Sequence, residues 1–216
     1  GMTPLDAGLV LLPSGIVVVA LLPFMGRLAD KISAHYAIIL GLILFAIGTV
    51  PMADADVNTA FVAIAIYGIV NRLGVSLTQP FIITVALRTL PSEKLNSGAG
   101  TMNFIRQLGG SLGINAWVVF LEMRTHYHSE ILTTTQSSDN AASRELLDNV
   151  GRILREGGVS EPIHQSGALH YLGQVVHAQG ATLGFQDGFW VLVAAYLIGI
   201  WPAWMLGRRA KGKDRR

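Results

Sequence analysis

The chain has 216 residues, of which 51% are hydrophobic and 14% charged; it has no cysteine, and its formal charge is +2. Charged residues make up about a quarter of an ordinary soluble domain, so this is the composition of a membrane protein, and no nucleic-acid partner is expected. Without cysteine there is neither a disulfide framework nor a thiolate metal site.

The chain opens Gly1-Met2 and enters an apolar run at once, with no basic region and small-residue cleavage site in succession. No signal peptide is read, and the abrupt start suggests a fragment. A bilayer core of about 30 Å needs about 20 predominantly apolar residues in a helix, and five stretches meet that test. The first two run from about Ala7 to Met25, with Pro13 and Pro23 inside, and from about Tyr36 to Val50. The third, from about Asn58 to Leu87, holds Arg72, Gln79 and Pro80; the fourth is Asn96 to Glu122 and the fifth Gly188 to Leu206. Internal proline and glycine are tolerated in such spans because neighbouring helices re-satisfy the backbone. The fold class is therefore all-α integral membrane, with five transmembrane helices.

The connections alternate in charge. Arg27 and Lys31 lie in the first turn, Arg88 and Lys94 in the third, and a basic tail follows at 208–216. Cytoplasmic loops carry the excess of Lys and Arg, which puts the C-terminus in the cytoplasm. The turn holding Asp54 and Asp56 has no cation and belongs outside. So does 123–187, where Arg124, Arg144, Arg152 and Arg155 face a larger number of acids. Within that segment Leu146, Leu147, Val150, Ile153 and Leu154 recur at helical spacing, which predicts an amphipathic helix from Asn140 to Glu156. A weaker pattern covers Gly167 to Gln179. The expected division is four transmembrane helices in 1–122, a periplasmic excursion with short amphipathic helices in 123–187, a last transmembrane helix in 188–207, and a cytoplasmic tail.

Chemistry is concentrated on the fourth span. Asn103, Arg106, Gln107 and Gly110 fall on one narrow helical face, and Arg106 lies about 15 Å in from the end of the span, near mid-membrane. An unpaired arginine in hydrocarbon costs at least about 3 kcal/mol and is a functional-site hypothesis by default. Either it serves a water-filled cavity or it staples helices by bonding carbonyls. Arg72, Ser76 and Gln79 form a similar face on the third span, where Arg72 either reaches the cavity or contacts a segment absent from this chain. The acids all lie at span edges or in turns, so an embedded proton acceptor is not expected in this chain.

Gly109-Gly110-Ser111-Leu112-Gly113 matches the nucleophile pattern of serine hydrolases, which carries weight only on a strand-turn-helix elbow. Inside a continuous apolar helix it leaves an intramembrane hydrolase as a remote alternative, and no catalytic residue is assigned. His126 and His128 have metal-ligand spacing, but two histidines beside a span do not make a metal site; none is assigned.

The tracts GMTPLDAGLVLLPSG, GRLADKISAHY, SGAGTMNFIRQLGGSLGINAWVVF and GFQDGFWVL, in that order, resemble the C-terminal half of the fourteen-helix drug:proton antiporters of the major facilitator superfamily, the EmrB/QacA type. The resemblance implies part of the C-terminal bundle of a major facilitator fold, in a proton-coupled multidrug efflux transporter that works by alternating access in the bacterial inner membrane. It implies no cofactor, the proton gradient being the driver. The implied partners are a small-molecule drug or toxic compound, the lipid bilayer, a missing N-terminal half and a periplasmic adaptor protein. Gly26, Asp30 and Lys31 match the superfamily's cytoplasmic loop signature, with Ser33 and Ala34 in place of its later glycine and basic residue. Asn103, Arg106 and Gln107 are implied to line or brace the cavity. The rival reading is a structural or regulatory membrane subunit of half length.

Overall fold

A computed structural model describes residues 32–56, 58–88, 90–136 and 140–213, with isolated positions at 15–16, 19–20 and 24. Most of the expected first span, the loop residues Gly26, Asp30 and Lys31, and the tail from 214 lie outside the described residues. The rest is helical: α1 (Ala34–Ala53), α2 (Phe61–Arg88), a 3-10 turn at Ser92–Lys94, α3 (Leu95–Thr135), α4 (Ala141–Glu156) and α5 (Glu161–Lys213). Among the described residues there is no strand. Among the described residues, four helical stretches are long and apolar enough to cross a membrane, at Ala34–Ala53, Phe61–Arg88, Ser92–Thr135 and Ile163–Arg208. They correspond to the second to fifth expected spans.

The chain forms two compact units, Gly1–Ile114 with Phe189–Arg216, and Asn115–Gly188. In the first unit α1 and α2 pack backbone to backbone through small residues. A Cβ on Gly41 would stand 2.9 Å from the Gly74 carbonyl and against Thr78, and one on Gly74 would stand 2.7 Å from the Gly41 carbonyl. Small residues at such crossings let helices approach where lipid leaves no hydrophobic drive for association. Ala37, Ile38, Phe81 and, from α5, Ala203 form the buried cluster of this unit.

In the second unit the glycines are on α5. A Cβ on Gly184 would lie 2.9 Å from Thr125 Oγ1, and one on Gly188 would lie 2.6 Å from the Trp117 ring. One on Gly180 would meet Ser129, 3.0 Å from its backbone nitrogen. Gly180, Gly184 and Gly188 thus repeat every four residues against α3.

The helices run on through the expected span limits at Glu122 and Gly188: α3 has 41 residues and α5 has 53. The drop in hydropathy at Arg124 changes what surrounds a helix, not the backbone, and 123–135 holds neither glycine nor proline to stop it. The helix ends only where hydroxyls crowd, with Thr133, Thr134 and Thr135 donating at 2.7 Å to carbonyls three or four residues back. The expected amphipathic helix Asn140 to Glu156 is present as α4, its first turn capped by Asn140 Oδ1 accepting from Ser143 N at 3.3 Å. It closes at Gly158, whose φ of 73° suits glycine. Val159 N donates to Leu154 O and Gly158 N to Arg155 O, each at 3.1 Å, the double closure of a left-handed helix end. The weaker pattern at Gly167 to Gln179 is no separate short helix but part of α5.

Candidate functional site

A groove of about 400 Å³ opens between α2 and α3 in the first unit. Ile82, Ile83 and Leu87 line it from α2, Ala99, Met102 and Ile105 from α3, and its polar groups are Gln79, Asn103 and Arg106. Helical spacing explains the set: Gln79, Ile82, Ile83 and Leu87 repeat at three and four along α2, as do Ala99, Met102, Asn103 and Arg106 along α3. Arg106 Nη2 donates to Asn103 Oδ1 at 2.8 Å. The arginine is thus held by an amide one turn before it on its own helix. A guanidinium has five N–H donors in a planar fork, so this one bond orients the group and leaves most of its donors for the groove. An apolar cleft with a few convergent polar groups, in the range of about 300–1,000 Å³, is what small-molecule sites look like.

Of the residues singled out from sequence, Gln79, Asn103 and Arg106 are brought together. Gln107 and Gly110 are exposed on α3 and Arg72 is exposed on α2, and none of them lines the groove. A Cβ on Gly110 would meet nothing within 4 Å. Ser111 sits within the continuous helix α3, so the elbow that the hydrolase pattern requires is missing.

Two polar sets stand outside the cavity face expected from sequence, the second including His128. Beside Arg72, the half-buried Asn71 faces α1: Thr49 Oγ1 lies 2.7 Å from Phe45 O and 3.2 Å from Asn71 Oδ1. Tyr196 of α5 stacks on Phe45 with ring centroids 4.8 Å apart. This band ties α1, α2 and α5 together. In the second unit Asp187 Oδ2 accepts from Arg124 Nε at 2.7 Å and lies 2.6 Å from both Arg124 Nη2 and His128 Nε2. The Arg124 guanidinium also covers the Tyr127 ring at 4.7 Å. The spacing Gly180-x-x-x-Gly184-x-x-x-Gly188, just before Gly188 opens the apolar run, is the sequence signal that locates this contact.

Residues 1–114 match the Major Facilitator Superfamily. The chain belongs to the Major Facilitator Superfamily. It is similar to the multidrug export protein EmrB of Haemophilus influenzae, 29% identical over 201 residues, 91% of this chain and 38% of that protein. The EmrB of Escherichia coli K12 is 24% identical over 205 residues, 94% of this chain and 38% of that protein. The lincomycin resistance protein LmrB of Listeria innocua is 32% identical over 108 residues, 50% of this chain and 23% of that protein. The chain therefore spans 38% of the length of the two EmrB relatives. No solved structure matches it.

Proposed function

We propose that this superfamily chain supplies part of the C-terminal bundle of a proton-coupled multidrug efflux transporter, and that the groove between α2 and α3 lies on the path of the exported compound. The observation that carries the reading is the Arg106–Asn103 pair standing with Gln79 in an otherwise apolar groove of ligand size. A charge kept at that depth of a span marks a substrate or ion pathway. The names of the EmrB and LmrB relatives, multidrug export and lincomycin resistance, agree with it. Arg106 is the one charged residue among the lining residues, so the groove favours neutral or anionic compounds with an apolar body. Arg72, Gln107 and Gly110 then serve as bracing positions.

On this reading the cation distribution sets the orientation: a multi-pass protein of the bacterial inner membrane with its C-terminus in the cytoplasm, the segment 123–187 outside, and 188–207 as the last crossing. Gly26, Asp30 and Lys31, outside the described residues, are assigned to the cytoplasmic side. Alternating access requires a second, N-terminal half to close the cavity, and the outer segment is where a periplasmic adaptor docks. The driving force is the proton gradient, with no cofactor.

The test uses everted membrane vesicles holding the transporter expressed from its native gene, with an acid interior monitored by a pH-sensitive dye. Addition of an exported compound is expected to dissipate the gradient faster than in vesicles lacking the protein. Equal dissipation, with export intact, would refute proton coupling.

A further inference from the structure

We propose that His128, placed between α3 and α5 against Asp187 and Arg124, is a proton-binding site at which uptake of a proton tightens the clamp between the two helices. All three contacts converge on one oxygen: Asp187 Oδ2 takes Arg124 at 2.7 Å and 2.6 Å and His128 Nε2 at 2.6 Å. With a neutral imidazole the cluster is a formal ion pair plus one hydrogen bond from an uncharged donor to the carboxylate. A proton arriving from water adds to the other ring nitrogen, Nδ1, so that both partners of the Nε2–H bond to Asp187 are charged and the bond becomes an ion pair. No other bond is made or broken, and the proton returns to water when the medium turns alkaline.

The surroundings single out this histidine. One turn to either side of Asp187, α5 offers Leu183, Gly184, Trp190 and Val191, none of which titrates. One turn from His128, α3 offers Arg124, Thr125, Ile131 and Leu132, and Tyr127 meets the imidazole edge-on at 5.4 Å between centroids. Glu122, His126 and Glu130 lie on other faces of α3 by helical spacing. Two charges therefore face His128, one of each sign. Its side chain is 18% exposed, which leaves a route for proton exchange, and that of Asp187 is 33% exposed. The clamp has leverage because Gly180, Gly184 and Gly188 bring the α5 backbone onto Ser129, Thr125 and Trp117. A change in one bond there acts on two backbones in contact.

The inference goes beyond the efflux reading, and its test needs no transported compound. Amide exchange of the segment 180–188 is measured in the whole purified transporter at about pH 6 and about pH 8, the range over which imidazoles change charge. Each variant is compared with the wild type at the same pH, so that the chemical pH dependence of exchange cancels. His128→Gln is expected to exchange like the wild type at the higher pH and about fivefold faster at the lower, the difference between an uncharged and a charged donor to the same carboxylate. Asp187→Asn, which keeps a hydrogen-bonding amide but removes the charge, is expected to erase the pH dependence. A His128→Gln ratio that is the same at both pH values, or a pH dependence that survives in Asp187→Asn, would overturn the proposal.

Discussion

Arg106 and Asn103 form a pair within one helix: the guanidinium donates to the amide oxygen three residues earlier at 2.8 Å. The charge that the fourth span carries is thus held from within α3, without a carboxylate. Replacing Asn103 by Asp converts the bond to an ion pair and cancels the one formal charge among the groove's described lining residues. Asn103→Asp is expected to weaken export of anionic compounds several-fold while leaving neutral ones near wild type, as read by initial efflux rates at matched membrane abundance. Equal loss for both classes would mean that the position acts on shape and not on charge.

The glycines at the α1–α2 crossing leave no room. Gly41→Ala puts a methyl 2.9 Å from the Gly74 carbonyl, an overpacking that costs about 1–3 kcal/mol. Gly151→Ala in α4 meets nothing within 4 Å and gains up to about 1 kcal/mol of helix propensity. Thermal midpoints of the purified protein are expected to fall for the first and hold or rise for the second.

Two buried threonines should behave oppositely. Thr49 is 2% exposed and bonded to Phe45 O and Asn71, whereas the Thr78 hydroxyl is buried with no partner among the described residues. Thr49→Val is expected to cost about 0.6–1.7 kcal/mol, the span of interhelical bonds in membranes. Thr78→Val removes an unsatisfied group of the same shape, which is neutral or stabilising. The check is a pair of denaturation curves in the same detergent.

In the turn after α1, Asp56 accepts from Thr59 Oγ1 at 3.0 Å, from Asn58 N at 3.0 Å and from Asn58 Nδ2 at 3.2 Å. Thr59 first, then Asn58, hold its carboxyl below the usual carboxylate range. A carboxylate depressed in the folded state contributes stability above its unfolded value and loses it as pH falls through the folded one. Asp56→Asn should therefore lower the thermal midpoint slightly at neutral pH, with the gap closing only in acid below the ordinary carboxylate range. A gap that opens with acidification would contradict the assignment.

The helical class, the positions of α1 and α2, the amphipathic α4 and the Asn103–Arg106 face were all legible from apolar length and helical spacing. Where α3 and α5 end was not. The fall in hydropathy at Arg124 and its rise at Gly188 read as limits of the spans, yet a helix stops at caps and breakers, and glycines spaced by four serve contact between helices. The partner of Arg106 was in reach of the sequence at i−3, but a charge in an apolar run directs attention to an opposite charge elsewhere. Arg72 drew attention away from Asn71 for the same reason: a charge stands out in an apolar run, whereas an amide one residue earlier makes the interhelical bond.

The central claim is that the groove between α2 and α3 handles the exported compound through Arg106. The direct measurement is retention of a fluorescent amphiphilic carboxylate in cells without other exporters. Wild type, Arg106→Gln and Ala99→Trp, the last filling the groove from α3, are compared at equal membrane abundance. Both variants are expected to retain the dye nearly as cells lacking the transporter do. Export at the wild-type rate by both would contradict the account.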